Sequence, residues 1–137
     1  MWKCPKCGRS FKNKNQAHSC IKITEKEFFV QAHPHATELY SHLKKILIQL
    51  QVQFQIEAVK NCIYFVNRFR FLAIKFHRTS IDIEFVLERK LNIFPVFKTV
   101  RHSKDLWWHI IRIEKEEELT EEIKDWLVEA SKTKRKP

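Results

Sequence analysis

Cys4 and Cys7 stand two residues apart, and after ten more residues His18 and Cys20 follow with one residue between them. Zinc prefers four tetrahedral ligands drawn from thiolate and imidazole, and a Cys-x2-Cys pair supplies two of them from one tight turn. Pro5 stiffens that turn. Gly8, directly after the second cysteine, lets the backbone curl so that its N–H groups face the sulfurs. The spacing predicts one Zn2+ held by Cys4, Cys7, His18 and Cys20. Four protein ligands leave no open position for water or substrate, so the expected ion is structural and not catalytic. So short a segment cannot bury enough apolar surface to fold alone, and its order should depend on the metal. Trp2 and Phe11 are its expected small core, with base stacking the alternative role for either ring.

Other reactive spacings are scarce. The chain has seven histidines, among them His33, His35, His77, His102 and His109, but none has ligand or triad spacing with a nearby nucleophile. Asp82 and Glu84 lie two apart and are able in principle to share a metal, yet no lysine-bearing nuclease pattern follows them. Gly8 is the only glycine, which excludes a Walker loop and a dinucleotide fingerprint. Cys62, alone in an apolar run, reads as a core thiol with nothing in its sequence surroundings to lower its pKa. A binding protein is expected, with a metal-dependent enzyme acting on nucleic acid through Asp82 and Glu84 as a lesser alternative.

The formal net charge is +10, and it is unevenly spread. Residues 1–113 hold 20 Lys and Arg against 8 Asp and Glu, whereas residues 114–137 hold 6 against 8. Within the first 24 residues Lys3, Lys6, Arg9, Lys12, Lys14 and Lys22 face no acid. A second acid-free stretch, Ala58 to Ile81, carries Lys60, Arg68, Arg70, Lys75 and Arg78. Such a field attracts polyanions, nucleic acid first among them. The expected contacts are Lys3, Lys6, Arg9, Lys12, Lys14, Arg68 and Arg70, the last two on one face of one strand. The competing reading makes Arg68 and Arg70 the wet face of an antiparallel sheet. A protein-interaction adaptor is the alternative function, because adjacent Trp107 and Trp108 on a strand must face opposite ways and an exposed tryptophan anchors interfaces. The acidic stretch Glu114 to Glu122 offers a route to self-association. No apolar run reaches the ~18 residues of a membrane span, and Met1 to Pro5 has no signal-peptide character. A cytoplasmic protein without membrane contact is expected.

Elements must position these groups. Leu39, Leu43, Ile46, Leu47 and Leu50 form one apolar stripe of a helix that Pro34 opens. Glu25 to Val30 is at most a helical turn in the connector before it. From Gln53 the period drops to two, predicting strands at Phe54 to Ala58, Cys62 to Val66, Arg68 to Phe76 and Ile81 to Leu87. Weaker strands are expected around Val96 to Arg101 and Trp107 to Ile113. Thr120 caps a closing helix whose buried stripe is Ile123, Trp126, Leu127 and Ala130. The pattern is α+β: a zinc finger at 1–22, then a domain at 23–137 with an antiparallel sheet of about five or six strands. An N-terminal and a C-terminal helix should flank that sheet and pack on one of its faces.

The run Met-Trp-Lys-Cys-Pro-Lys-Cys-Gly-Arg-Ser-Phe, with Asn-Gln-Ala-His-Ser-Cys at 15–20, resembles the N-terminal finger of bacterial proteins of domain-of-unknown-function family 5655. Similar segments extend through Glu38-Leu39-Tyr40, Arg70-Phe71-Leu72-Ala73, Ile81 to Leu87, His109 to Ile113 and Trp126 to Ala130. The resemblance implies this fold and the four metal ligands, and it implies no activity.

Overall fold

The computed structural model describes residues 2–5, 10–15, 22–59 and 62–133. Each helix begins where the sequence offers a stop for its orphan N–H groups. Helix α1 (Glu25–Gln31) opens on a capping box in which Thr24 and Glu27 cap each other's backbone N–H groups. Helix α2 (Pro34–Gln49) starts with proline in its first turn. Helix α3 (Glu121–Ser131) is capped by Thr120, whose Oγ1 accepts from the Ile123 N–H at 3.3 Å. At its other end α2 closes without glycine. Gln51 takes a φ of 61°, while its N–H donates to the Ile48 carbonyl and that of Val52 to Leu47, both at 3.0 Å. This is a Schellman closure with glutamine where glycine is usual.

Among the described residues nine strands form two sheets. β1 (Trp2–Lys3) and β2 (Ser10–Phe11) make a small hairpin. The other seven are antiparallel: β3 (Lys22–Ile23), β4 (Gln55–Val59), β5 (Ile63–Val66), β6 (Arg70–Phe76), β7 (Ile81–Leu87), β8 (Lys98–Ser103) and β9 (Leu106–Ile113). Their spatial order is β3-β4-β5-β6-β7-β9-β8.

Register fixes which side chains share a face. Phe65 lies opposite Leu72, Leu72 opposite Phe85, and Phe85 opposite His109. Tyr40 of α2 packs on Phe65 and Phe76, Phe28 of α1 on Phe76, and Trp126 of α3 on Phe85. All three helices therefore cover the same face, and the core lies between it and them. Leu39, Leu43, Leu47, Ile63, Ile74, Ile83, Leu127 and Ala130 are buried there. One polar chain enters this layer: the Tyr40 hydroxyl donates to Glu25 at 2.7 Å, and Lys44 also binds Glu25 at 2.8 Å.

The α+β class, the antiparallel sheet and the flanking helices agree with the sequence reading. Two details differ. The connector before α2 contains a full two-turn helix and β3, which extends the sheet at one edge. Residues Glu116–Glu118 form a 3-10 turn. In space β9 is interior and β8 forms the edge. Composition explains that order: Leu-Trp-Trp-His-Ile-Ile-Arg-Ile is apolar on both faces, while Lys-Thr-Val-Arg-His-Ser tolerates an edge. Among the described residues no helix is long and apolar enough to cross a membrane.

Candidate functional site

The pairing of β1 and β2 sets Trp2 opposite Phe11 and Lys3 opposite Ser10. Cys4 directly follows β1 and is buried. Cys7, His18 and Cys20 lie outside the described residues, as do Lys6 and Arg9. Lys3, Lys12 and Lys14 are exposed. Among the described residues no three His, Cys, Asp or Glu side chains converge as a metal-binding group.

The sheet face opposite the helices carries the alternate residues of the same strands. Its middle is a set of cross-strand ion pairs. Glu57 of β4 accepts from Arg70 of β6 at 2.6 Å, and the Arg70 guanidinium lies 4.3 Å from the centre of the Tyr64 ring. Lys75 of β6 meets Glu84 of β7 at 3.0 Å. Asp82 of β7 takes a two-pronged contact from Arg112 of β9, at 2.7 and 3.1 Å, and a further one from His77 at 2.9 Å. Burial alone would raise the Asp82 pKa, but the hydrogen bonds from Arg112 and His77 outweigh it and hold the carboxyl below its ordinary value. Asp82 and Glu84 thus do share a face, each already paired with a cation.

Arg70 is therefore committed to Glu57 and Tyr64. Arg68 is not on the strand: β6 begins at Arg70. The Asn67 carboxamide oxygen accepts from the backbone N–H groups of Arg68 at 2.6 Å and Phe69 at 3.5 Å, an Asx turn that ends the extended chain. Cys62 is buried, and burial pushes its thiol pKa up despite the pull of Tyr64 and Lys75. Tyr64 is itself pushed up to about 12, chiefly by burial. Neither is activated as a nucleophile.

The edge of this face differs. Lys98 and Val100 of β8 lie opposite Ile110 and Trp108 of β9. His102 meets the Trp108 ring edge-on at 6.4 Å, and Arg112 lies 5.3 Å from the centre of the Phe97 ring. Phe97 is 55% exposed, and Phe94, in the loop before β8, is 90% exposed. Trp107 and Trp108 do face opposite ways, each half-buried, with Trp107 on the helix side beside Leu87. This edge was missed by scanning for acid-free runs near the finger and β6. The signal is there: residues 89–104 contain Arg89, Lys90, Lys98, Arg101 and Lys104 with no acid, interleaved with Phe94 and Phe97.

A buried histidine anchors the loop that carries Phe94. His109 is fully buried on the helix-covered face and stacked 5.3 Å from Phe85. Its Nε2 accepts from the Leu91 N–H at 2.9 Å. The proton must then sit on Nδ1, which has no hydrogen-bond partner among the described residues. Burial lowers the His109 pKa, against weaker opposing effects of the Phe85 and Trp107 backbone. It is a packing residue that ties β9 to the loop.

Compared with known families, residues 25–134 match the family model described as Domain of unknown function (DUF5655). No curated protein and no solved structure matches the chain.

Proposed function

The chain belongs to the DUF5655 family over residues 25–134, and from that footing we propose that it is a non-catalytic nucleic-acid-binding protein ordered in part by one structural zinc ion. The observation that carries the binding reading is the segregation of cations. On the middle of the uncovered face Arg70 and Lys75 are matched by carboxylates on neighbouring strands. At the β8 edge Lys90, Lys98, Arg101 and Lys104 are exposed in an acid-free segment, and in the finger Lys3, Lys12 and Lys14 are exposed likewise. Cations without carboxylate partners are the ones free to neutralise phosphates, and displaced counterions then drive binding.

For the metal, Cys4, Cys7, His18 and Cys20 are the ligands, and Zn2+ would cross-link the turn between β1 and β2 to the segment before β3. The pairing of β1 with β2 supports this, since a hairpin turn is the setting in which a Cys-x2-Cys pair offers two thiolates to one ion. The donor set, three thiolates and an imidazole, suits zinc over magnesium or calcium.

The test is equilibrium binding of the zinc-loaded full chain to DNA, followed by fluorescence anisotropy at low and moderate salt. If about four phosphates are neutralised, affinity should fall roughly a hundredfold between about 50 and 200 mM salt. No binding at the lower salt, to single or double strands of DNA or RNA, removes the proposal. Metal content is read separately: about one zinc per chain in reduced protein is expected for a single closed site, and Cys7→Ala should abolish it.

A further inference from the structure

The uncovered sheet face at β8 and β9 presents flat rings and cations together, and this tells which form of nucleic acid suits it. We propose that this edge, with the loop before it, is a platform for single-stranded nucleic acid, with Phe94, Phe97 and Trp108 stacking on bases and Lys98 and His102 meeting the backbone. The inference rests on the nucleic-acid reading above and specifies its ligand.

Three observations converge here. First, two of the rings are out of the core, and the third, Trp108, packs against it with part of its surface exposed. Phe94 is 90% and Phe97 55% exposed, and Trp108 is half-buried on the face that no described helix covers. Leaving a phenylalanine in water forgoes about 1.5–3 kcal/mol of burial, so exposing two in one segment needs a reason beyond the fold. Second, polar and cationic groups adjoin the rings. Arg112, itself held by Asp82, lies over Phe97, the His102 ring meets Trp108 at right angles, and Lys98 lies on the strand beside them. Third, the segment 89–104 contains no acid, and apart from Arg89, which Glu129 holds, its Lys90, Lys98, Arg101 and Lys104 have no carboxylate partner among the described residues.

A duplex satisfies only the last of these. Its phosphates face outward, but its bases are stacked and paired, and the grooves show edges, not faces. A single strand offers both phosphate and open base faces. Sheet surfaces with projecting aromatics and flanking cations are suited to that combination, because stacking accepts any base. Cationic excess at this edge argues against a protein partner as the primary occupant, since protein interface cores are depleted in charge.

The experiment compares the full zinc-loaded chain with a Phe94→Ala/Phe97→Ala variant. The probes are a labelled oligothymidylate of about 20 nucleotides, longer than one such platform occupies, and a duplex of equal length. Wild type should bind the single strand more tightly. The variant should lose about tenfold or more on the single strand, given the stacking contribution per base, with the duplex within about twofold and the salt slope unchanged. Phe94→Tyr/Phe97→Tyr, which keeps both rings, should bind as wild type. Should the alanine pair lower the melting temperature, Phe94→Ala alone gives the reading, because that ring has almost no contacts to lose. If wild type binds with a salt slope and the alanine variant is unchanged, or weakens equally on both probes, the platform is overturned while the polyanion reading stands. If wild type binds neither probe at low salt, both fall. A nuclease-resistant protein complex lost in the alanine variant, with oligothymidylate affinity unaltered, also overturns it.

Discussion

The two faces of the sheet are built from alternate residues of the same strands, yet they are held by different physics. Toward the helices, Phe65, Leu72, Ile74, Ile83, Phe85 and Ile111 are buried and make no demands on charge. Away from them, Glu57–Arg70, Lys75–Glu84 and Asp82–Arg112 are matched strand by strand across the middle, until the matching stops at β8. One face gains by excluding water, whereas the other satisfies in pairs the charged groups that it partly buries. The difference teaches that the two faces are stabilised separately, so that on the proposed reading binding at the β8 edge can be altered with limited cost to the core.

The sharpest way to break that comparison is to cut into the covered face. Phe85 is fully buried between His109, with ring centres 5.3 Å apart, and Trp126, at 5.9 Å. Phe85→Ala should lower unfolding free energy by about 3–5 kcal/mol, combining lost transfer energy with a residual cavity. Urea denaturation reads it directly. A cost below about 1 kcal/mol would mean that the layer between sheet and helices is not the core.

A subtler break uses the His109 imidazole inside that layer. The His109 pKa is lowered in the folded chain by burial, so on acidification the unfolded chain takes up the proton first. Stability should therefore rise with pH between the folded value and the ordinary one near 6.5. It should fall as pH drops below about 6.5, by at most about 1.4 kcal/mol per pH unit. His109→Gln keeps an acceptor for the Leu91 N–H and removes the titration, so its stability profile should be flatter over that window. Parallel profiles for the two proteins would show that the residue does not titrate between the states.

The covered face was the legible one. Leu39, Leu43, Ile46 and Leu47 announce their helix by spacing, and Ile81, Ile83, Phe85 and Leu87 their strand by alternation, because each pattern is local. Partners across strands are not local. Glu57 and Arg70 are thirteen residues apart, Asp82 and Arg112 thirty, and only register makes them neighbours. Reading charge along the chain therefore counted Arg70 as free when a carboxylate on β4 already held it. The β8 edge was hidden for the same reason. Phe97, Lys98, Trp108 and Arg112 belong to two weakly patterned strands, and they form one surface only once β9 lies between β7 and β8.

The smallest expected effect separates the two kinds of cation on the uncovered face. Lys98 is exposed, and among the described residues no carboxylate pairs with it. Arg70 is half-buried between Glu57 and Tyr64. Lys98→Ala should change stability by less than about 0.5 kcal/mol while reducing the salt slope of nucleic-acid binding by about one. Arg70→Ala should do the reverse. It leaves Glu57 without its partner and strips a cation from the Tyr64 ring, costing about 1 kcal/mol, with the salt slope unchanged. Melting curves and anisotropy titrations on the two variants give four numbers. If Arg70→Ala lowers the slope and Lys98→Ala does not, pairing within the sheet does not decide which cations reach phosphate, and the contact surface lies at β6, not at the β8 edge.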